Sequence, residues 1–281
     1  MHCNCGRHTI SFNGEIFNYR ELRTLVDYPF KTDGDTETLL ALLCLLGIES
    51  LRFVRGQFAF ALWDAVAEEL TLAVDAHGVL PMYVYDADDL LAFSSSAASL
   101  SATLDKCELD EDSIPYLLTQ RSITAPATVY RDIERIGPGE YWTFTSYSRR
   151  RNRWIESFAQ RSLNAEKQGE LVELLQQAAA RAVTADVEVG VFLSGGLDSA
   201  VVAALAQRQL PYKLKAFTAA WPGHQKENEL SAATRTARVL GLDHVVVDVD
   251  ARLWLDSLRK GSTFRDAPMG EPADAVFYAL A

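Results

Sequence analysis

Hydrophobic positions in the first half of the chain fall into short runs rich in aromatic and β-branched residues. Such runs predict strands, and they are HTISFNGEI, QFAFALWD, LTLAVD, MYVYD and LLAFSSS. AVAEE joins the second run to the third, and DADD joins the last two, so we expect two β-hairpins. A Pro-Gly turn in IGPGEYWTF predicts the start of one further strand.

Three helices are predicted between these strands. Asn18 is the expected N-cap of the first, NYRELRTLV, because Glu21 follows three residues later. Asp35 is the expected cap of TETLLALLCLLG, whose end is marked by Gly47. DEDSIPYLLTQ predicts the third helix, so the first half combines strands with helices.

Helices and strands alternate in the second half of the chain. The helical patterns are KQGELVELLQQAAARAV, DSAVVAALAQRQ and ENELSAATRTARVLG, the last of them ended by Gly241. The strands that follow or separate them are EVGVFL, KLKAFTAAW and DHVVVDVD. This alternation predicts a parallel sheet with helices on its faces.

The segment between the two halves, residues 146–165, is polar, basic and poor in aliphatic side chains. We therefore expect a domain boundary here, with one domain in residues 1–150 and another in residues 165–281. The basic run RRRNR, residues 149–153, is predicted to be a solvated linker rather than a binding patch.

Composition narrows the class of protein. The 281 residues are 48% hydrophobic and 23% charged, as in an ordinary globular protein, and no apolar run approaches the ~18 residues of a membrane span. The formal net charge of −11 argues against a nucleic-acid partner. Because no signal-peptide pattern is seen, the expected location is the cytoplasm, with reduced cysteines.

The four cysteines predict no zinc site. Cys3 and Cys5 form a C-x-C pair, and the sequence contains no second closely spaced pair of cysteines. Zinc sites built from cysteine pairs need two such pairs. Cys44 lies in an apolar helical run, where a buried thiol is the usual outcome.

The segment SGGLDS stands between an apolar strand and a helix. Gly195 and Gly196 permit a sharp turn that brings backbone N–H groups close to a ligand, and the start of the helix offers more unpaired N–H groups. Such a place binds anions, phosphate above all. Ser194 and Ser199 can donate hydroxyl groups to the same oxygens, and Asp198 suits a Mg²⁺ ion that bridges phosphates. The lysine and spacing of a Walker A loop are absent.

SGGLDS and its surroundings, TADVEVGVFLSGGLDSAVVAALA, resemble the pyrophosphate-binding loop of the ATP-pyrophosphatase (PP-loop) superfamily, and in particular the synthetase domain of asparagine synthetase and its relatives. KAFTAAW is similar to the second strand, whose end contacts adenine in that family, and RDAPMGEPADA to an Asp-x-Pro segment with Glu271 where aspartate is common. The resemblance implies that ATP and Mg²⁺ are bound, with Asp198 as the metal ligand. The implied ATP-binding residues are Phe192, Leu193, Ser194, Gly195, Gly196, Asp198, Ser199 and Ala219.

The first half resembles the glutaminase domain of the same enzymes, an N-terminal-nucleophile fold, through SFNGEIFNYRELR and TDGDTETLLALL. In that family Asn-Gly-Glu and the Asp of Gly-Asp-Thr hold glutamine. The resemblance therefore implies a glutamine site at Asn13, Gly14, Glu15 and Asp35, where two carboxylates suit an α-ammonium group. A hairpin turn explains Asn-Gly-Glu alone equally well.

The expected fold class is α/β. A truncated αββα glutaminase-like domain of the N-terminal-nucleophile type precedes a truncated parallel-sheet PP-loop domain. The family's nucleophile, a cysteine directly after the initiator Met, is not found, because Cys3 and Cys5 lie too close to Asn13. No catalytic residue is predicted. Val74 stands where arginine is usual and Ser96 where glutamate is usual, which points to a weakened glutamine site.

The implied reaction is ATP-dependent amide formation. A carboxylate attacks the α-phosphate of ATP, and ammonia from glutamine then displaces AMP, with aspartate to asparagine as the parent reaction. The loop would stabilise charge as pyrophosphate leaves. The expected partners are small molecules, namely ATP, a carboxylate, and glutamine or ammonia.

Two alternatives stay open at this point, and a third is disfavoured. Relatives such as β-lactam synthetase and lasso-peptide cyclase lack the cysteine and use an internal amine as the nucleophile. The family's second glycine-rich loop is not found in this sequence. This favours a non-catalytic ATP-binding fragment, or a subunit that needs a second copy or a complementing chain. A tRNA-modifying PP-loop enzyme is disfavoured by the acidic charge.

Overall fold

The computed structural model describes residues 1–87, 90–104, 107–155, 165–185, 187–222, 229–263, 265–267, 271 and 273–280. Contacts divide the chain into two compact units. The N-terminal unit comprises Met1–Ala159 with Arg265–Ala267, and the C-terminal unit comprises Gln160–Phe264 with Pro268–Ala281. The expected boundary between residues 150 and 165 falls largely outside the described residues and stays a prediction.

The N-terminal unit contains two antiparallel sheets in its described part. Its strands are β1 (His8–Ile16), β2 (Gly56–Asp64), β3 (Glu69–Val74), β4 (Tyr83–Ala87), β5 (Leu90–Ser94), β6 (Ile133–Arg135), β7 (Glu140–Thr145) and β8 (Ser148–Arg153). Its α-helices are α1 (Tyr19–Leu22), α2 (Asp35–Leu46), α3 (Ala97–Ser101) and α4 (Ile114–Gln120). One sheet has the order β1-β2-β3-β7-β8 and the other β5-β4-β6. Both predicted hairpins, β2–β3 and β4–β5, are confirmed.

The alternation of side chains along β2 builds a four-layer core. Phe58 and Phe60 pack in one cluster with the apolar face of α2, such as Leu39. Ala59 and Ala61 point the other way and pack with β4 and β7. A third cluster joins Tyr83 and Tyr85 of β4 to Ala97 and Leu100 of α3. The layers are therefore helix, sheet, sheet and helix, which confirms the αββα prediction.

The two predicted helix caps differ from the structure. Asn18 occupies the N-cap position of α1 without capping it. Its amide instead donates to Phe53 O at 3.0 Å and its Oδ1 accepts from Arg55 N at 2.9 Å, so it joins two segments. Gly34, rather than Asp35, is the N-cap of α2. Gly47 ends α2 at a φ of +73°, as predicted.

The basic run RRRNR is not a linker, because it forms β8 and pairs with β7 along its length. Arg149 and Arg151 both form ion pairs with Glu134. Their guanidinium groups lie 4.6 Å and 4.3 Å from the ring centre of Trp142, within cation–π range. The acidic and aromatic partners come from β6 and β7, which a local reading of the basic run does not contain.

The acidic side chain of Asp75 organises the segment after β3. It is 1% exposed. Its Oδ1 accepts hydrogen bonds from the backbone N–H groups of His77 and Val79, at 2.9 and 3.2 Å. Its Oδ2 accepts from those of Phe58 and Leu80, both at 3.2 Å. One carboxylate therefore satisfies four backbone donors.

The lowered pKa values of two carboxyl groups, Glu37 and Asp64, indicate that the folded state loses stability in acid. Burial alone raises the pKa of Glu37, but hydrogen bonds from Lys31 N–H and from Thr32 bring it below its usual value on balance. The hydrogen bond from Arg7 holds the pKa of Asp64 well below its usual range. The unfolded chain therefore takes up protons first as the pH falls, which favours unfolding.

We expect the free energy of unfolding to stay nearly constant from pH 7 to about pH 5 and to fall below about pH 4.5, where unfolded carboxyl groups titrate. Urea titrations at several pH values measure it. Glu37→Gln removes one of the two groups, so its stability should fall less between pH 5 and pH 3 than that of the wild type. An equal fall in both proteins would contradict the role of Glu37.

The C-terminal unit has helices and strands in alternation, as predicted. Its described elements are α5 (Ala165–Ala182), β9 (Gly190–Phe192), α6 (Leu197–Gln209), β10 (Lys215–Ala220), α7 (Leu230–Leu240), β11 (Asp243–Asp248), α8 (Ala251–Ser262) and α9 (Ala273–Leu280). The sheet order is β11-β10-β9, and both strand pairs are parallel. Gly241 ends α7 at a φ of +70°, as predicted. The mixed α/β class is therefore confirmed.

Small side chains form the core of the C-terminal unit. Ala203 of α6, Ala216 of β10 and Ala233 of α7 are fully buried and pack with Leu193. Alanines at these positions let the helices approach the sheet closely. No helix in the described part of the chain is both long enough and apolar enough to cross a membrane.

Candidate functional site

The segment SGGLDS is a tight turn from the end of β9 into α6. Gly196 is the N-cap of α6, so the first turn of the helix opens at the loop. The hydroxyl groups of Ser194 and Ser199 lie 2.8 Å apart, and Ser199 Oγ accepts from Ser194 N at 3.2 Å. Gly196 N donates to Ser194 Oγ at 3.1 Å. The serines therefore hold the turn closed as well as presenting oxygens at the surface.

A carboxylate already lies against this loop. Gly195 N donates to Glu229 Oε2 at 2.8 Å. A Cβ atom at Gly195 would lie 2.9 Å from Glu229 Cβ, closer than real Cβ contacts allow, and 3.2 Å from Ala232 Cβ, which is also a tight contact. Glycine is therefore required here by the close approach of α7, and the loop N–H group binds an anionic oxygen.

A cavity of about 540 Å³ opens beside the loop, within the size range of small-molecule sites. Its walls are rich in aromatic rings, and Phe192 and Phe277 lie 5.8 Å apart between ring centres. Ser194, Ser199, Thr218 and Glu229 supply polar groups. The other lining residues are Leu193, Phe217, Ala219, Trp221, Trp254, Ala273, Val276 and Leu280.

Thr218 fixes the position of the cavity floor. Its hydroxyl donates to Leu193 O at 2.7 Å and lies 2.8 Å from His244 Nε2. Leu193 N in turn donates to Phe217 O at 2.8 Å. The ends of β9 and β10 are thereby locked together where the loop begins.

Five of the eight residues expected to bind ATP line this cavity, namely Phe192, Leu193, Ser194, Ser199 and Ala219. Gly195 and Gly196 lie in the adjoining turn, outside the lining. Asp198 is in the first turn of α6, with an exposed side chain.

Sequence reasoning did not identify Trp221, Glu229 or Trp254 as cavity residues. Trp221 follows β10 directly, at the carboxyl end of a parallel strand, where ligands usually bind in such sheets. Its position at the end of this strand could therefore have identified Trp221 as a cavity residue from the sequence. Glu229 and Trp254 reach the cavity only because α7 and α8 pack near the loop, which no local pattern indicates.

The residues expected to bind glutamine lie at one end of β1. Asn13, Gly14 and Glu15 pair with β2 in regular register, so the hairpin-turn alternative is wrong. Gly14 has a φ of +147°, and a Cβ there would collide with the backbone of Gln57 and Phe58.

The carboxylate of Asp35 lies at the same end of β1. Its Oδ2 accepts from Ile16 N at 3.0 Å, one residue beyond Glu15. The side chains of Asn13 and Glu15 are exposed. Whether these residues hold glutamine stays a prediction.

Comparison with known proteins finds a matching family model for each half of the chain. A family model described as a glutamine amidotransferase domain matches residues 1–155, and one described as asparagine synthase matches residues 170–281. The chain is 31% identical to a Mycobacterium tuberculosis protein whose name places it among the glutamine-hydrolyzing asparagine synthetases, over 98% of this chain and 44% of that protein. It is 29% identical to asparagine synthetase 1 of Bacillus subtilis, over 97% of this chain and 44% of that protein.

The chain thus spans less than half the length of these relatives. A solved glutamine phosphoribosylpyrophosphate amidotransferase from B. subtilis is similar at a TM-score of 0.40 and 16% identity, over 88% of this chain and 47% of that one, which is too weak a likeness to argue from. The two matched family models confirm the resemblance stated from SGGLDS and from Asn-Gly-Glu. The chain belongs to the asparagine synthetase family.

Proposed function

We propose that the C-terminal unit binds ATP with Mg²⁺ and that the chain is part of an amide-forming ligase. The observation that carries this proposal is the SGGLDS turn, whose Gly195 N–H already holds an anionic oxygen beside an aromatic cavity. The two relatives named above are asparagine synthetases by name, which supports an amide-forming ligase of this kind over the β-lactam synthetase and lasso-peptide cyclase alternatives.

The aromatic cavity suits the base of the nucleotide. Adenine is flat and apolar on its faces, and the indole rings of Trp221 and Trp254 offer flat surfaces for it. The phosphates would then face Gly195, Gly196 and the N-terminus of α6, where backbone N–H groups and the helix dipole favour negative charge.

Asp198 fits the role of Mg²⁺ ligand. Mg²⁺ is usually held by one or two carboxylates together with substrate phosphates and water, so one exposed carboxylate at the loop suffices. When bound, the ion neutralises charge on the phosphates. The part played by the loop is to hold the leaving pyrophosphate with backbone N–H groups, once Gly195 N has exchanged Glu229 for the phosphate, which lowers the barrier most when charge develops there.

The proposed parent reaction is the conversion of aspartate to asparagine. The carboxylate is activated by adenylation, and ammonia then forms the amide. In the N-terminal unit Asn13, Gly14, Glu15 and Asp35 are proposed to hold glutamine, with the two carboxylates facing its α-ammonium group. The cytoplasmic location and the pairing with a second copy or a complementing chain stay predictions.

Replacement of Asp198 tests the metal role. ATP with Mg²⁺ should raise the melting temperature of the wild-type chain, because a ligand that binds only the folded state stabilises it. Asp198→Ala should lose most of this rise, since the metal would lack its protein carboxylate. Differential scanning fluorimetry measures the shift.

Asp256→Ala is the matched control for this experiment. Asp256 is an exposed aspartate on α8, in the same unit but outside the cavity lining. It should keep the full ATP-dependent rise. An unchanged rise in Asp198→Ala would count against the metal role, and no rise in the wild type would count against nucleotide binding altogether.

A further inference from the structure

Four side chains that commonly bind metals meet at the N-terminal end of the chain. They are Cys3, Cys5, His8 and Cys44, and one potential ligand atom from each lies within 4.8 Å of all the others. Cys44 Sγ is 3.4 Å from both Cys3 Sγ and Cys5 Sγ. In a tetrahedral zinc site with Zn–S bonds of 2.3 Å, neighbouring sulfurs lie about 3.8 Å apart. The two sulfur–sulfur distances to Cys44 are therefore close to those of one coordination sphere.

The three N-terminal members belong to a single closed turn. Cys3 N donates to His8 O at 2.9 Å, and Gly6 N donates to Cys3 O at 3.0 Å. Gly6 has a φ of +72°, which allows the chain to reverse here without strain. Cys5 N donates to Cys3 Sγ at 3.2 Å, a contact that would stabilise negative charge on this sulfur in the reduced protein.

His8 gives a second, independent indication of a ligand. Its ring is buried, the residue being 8% exposed, and its Nδ1 has no hydrogen-bond partner. An unpartnered buried ring nitrogen is costly, because it has lost water without gaining a bond. The other nitrogen, Nε2, lies 3.5 Å from Asp64 Oδ2. This leaves Nδ1 as the atom free to bind a metal.

Asp64 completes the surroundings expected of a metal-bound histidine. Its carboxylate is held by Arg7 through two hydrogen bonds of 2.8 and 2.6 Å. A carboxylate that accepts from the second ring nitrogen orients a metal-bound imidazole. Arg7 also interacts electrostatically with Cys44. Its positive charge would offset the single negative charge of three thiolates and one divalent ion.

We propose that Cys3, Cys5, His8 and Cys44 form a structural zinc site. Three thiolates and an imidazole are a set that soft and borderline ions prefer, and Cys₃His is an established structural zinc set with no open position. The site would bind the N-terminal turn to the last turn of α2. This proposal departs from the expectation from the sequence that zinc is not bound.

The spacing of the ligands explains why the sequence analysis missed this site. Cys44 is supplied by α2 and His8 by β1, so neither makes a second C-x-C or C-x-x-C pair. The fold brings these two residues to the C-x-C turn.

Zinc binding requires reduced cysteines. Cys3 and Cys5 are joined as a disulfide in the structure. A water-soluble phosphine reduces it: the S–S bond takes two electrons and two protons to give two thiols, and the phosphine becomes its oxide with oxygen from water. Zn²⁺ then displaces the protons of the three thiols.

Metal analysis of the reduced 281-residue chain tests the proposal. Chain purified with phosphine and dialysed against trace zinc should retain about one zinc ion per chain. Substitution with Co²⁺ should give the intense absorption of thiolate-to-cobalt charge transfer. Asp64→Asn should weaken zinc binding by about 10–100-fold, as expected for a positioning residue, and Cys44→Ser should weaken it further.

Two more cysteine variants separate loss of the zinc site from loss of folding. Cys5 is exposed, so Cys5→Ser should fold, as checked by circular dichroism, and should lose stoichiometric zinc. Cys107→Ser, which alters a cysteine outside the cluster, should retain it. The proposal is overturned if the reduced wild type binds no zinc, if Cys5→Ser binds it as tightly as the wild type, or if Cys3 and Cys5 stay oxidised in the phosphine.

Discussion

Replacement of Asp75 by alanine is expected to lower the free energy of unfolding by about 3–5 kcal/mol. The carboxylate is buried and accepts hydrogen bonds from four backbone N–H groups, which alanine would leave without an acceptor. These donors belong to β2 and to the segment after β3, so the loss would loosen the centre of the larger sheet. Urea unfolding followed by circular dichroism measures the change.

Two further aspartate variants define the cause. Asp112→Ala alters an exposed aspartate of the same unit and should change stability by less than about 0.5 kcal/mol. Asp75→Asn keeps one acceptor oxygen but turns an NH₂ group toward backbone donors, so it should fall between the other two. If Asp75→Ala is as stable as Asp112→Ala, the four hydrogen bonds do not hold the segment as described.

Replacement of Gly195 by alanine is expected to weaken ATP binding by about 100-fold. The added Cβ would lie 2.9 Å from Glu229 Cβ, so the turn must shift and move its N–H groups away from the phosphates. Charge-assisted hydrogen bonds contribute about 1.5–3 kcal/mol each, and the loss of one accounts for most of this factor. Isothermal titration calorimetry measures the dissociation constant.

Gly169→Ala is the matched control, because a Cβ at Gly169 meets nothing within 4 Å. Gly169 lies on α5, where alanine should stabilise the helix by about 0.5–1 kcal/mol. ATP affinity should be unchanged in this variant. Equal affinity in the two alanine variants would show that the SGGLDS turn does not hold the nucleotide.

Patterns in neighbouring residues predicted the features that depend on interactions between residues close together in the chain. Six of the eight described strands of the N-terminal unit, β1 to β5 and β7, follow from periodicity and turn chemistry, as do the parallel alternation of the second half and the ends of α2 and α7 at Gly47 and Gly241. SGGLDS was found for the same reason, since strand, turn and helix start are consecutive in the chain.

Features that depend on distant partners were missed. Asn18 has a typical cap residue's side chain, yet it bonds to Phe53 and Arg55, which lie more than thirty positions away. The arginines of β8 find Glu134 and Trp142 only once the sheet has formed. Two aromatic side chains of the cavity wall, Trp254 and Phe277, are likewise contributed by α8 and α9, so the loop could be predicted but the whole pocket could not.

The central claim is that the SGGLDS turn and its cavity form a nucleotide site. A calorimetric titration of ATP with Mg²⁺ into the 281-residue chain, run with and without inorganic pyrophosphate, tests it most directly. The account predicts saturable binding of about one ATP per chain, weakened in competition with pyrophosphate because both ligands need the same N–H groups. Absence of binding, or binding that pyrophosphate leaves unchanged, would contradict it.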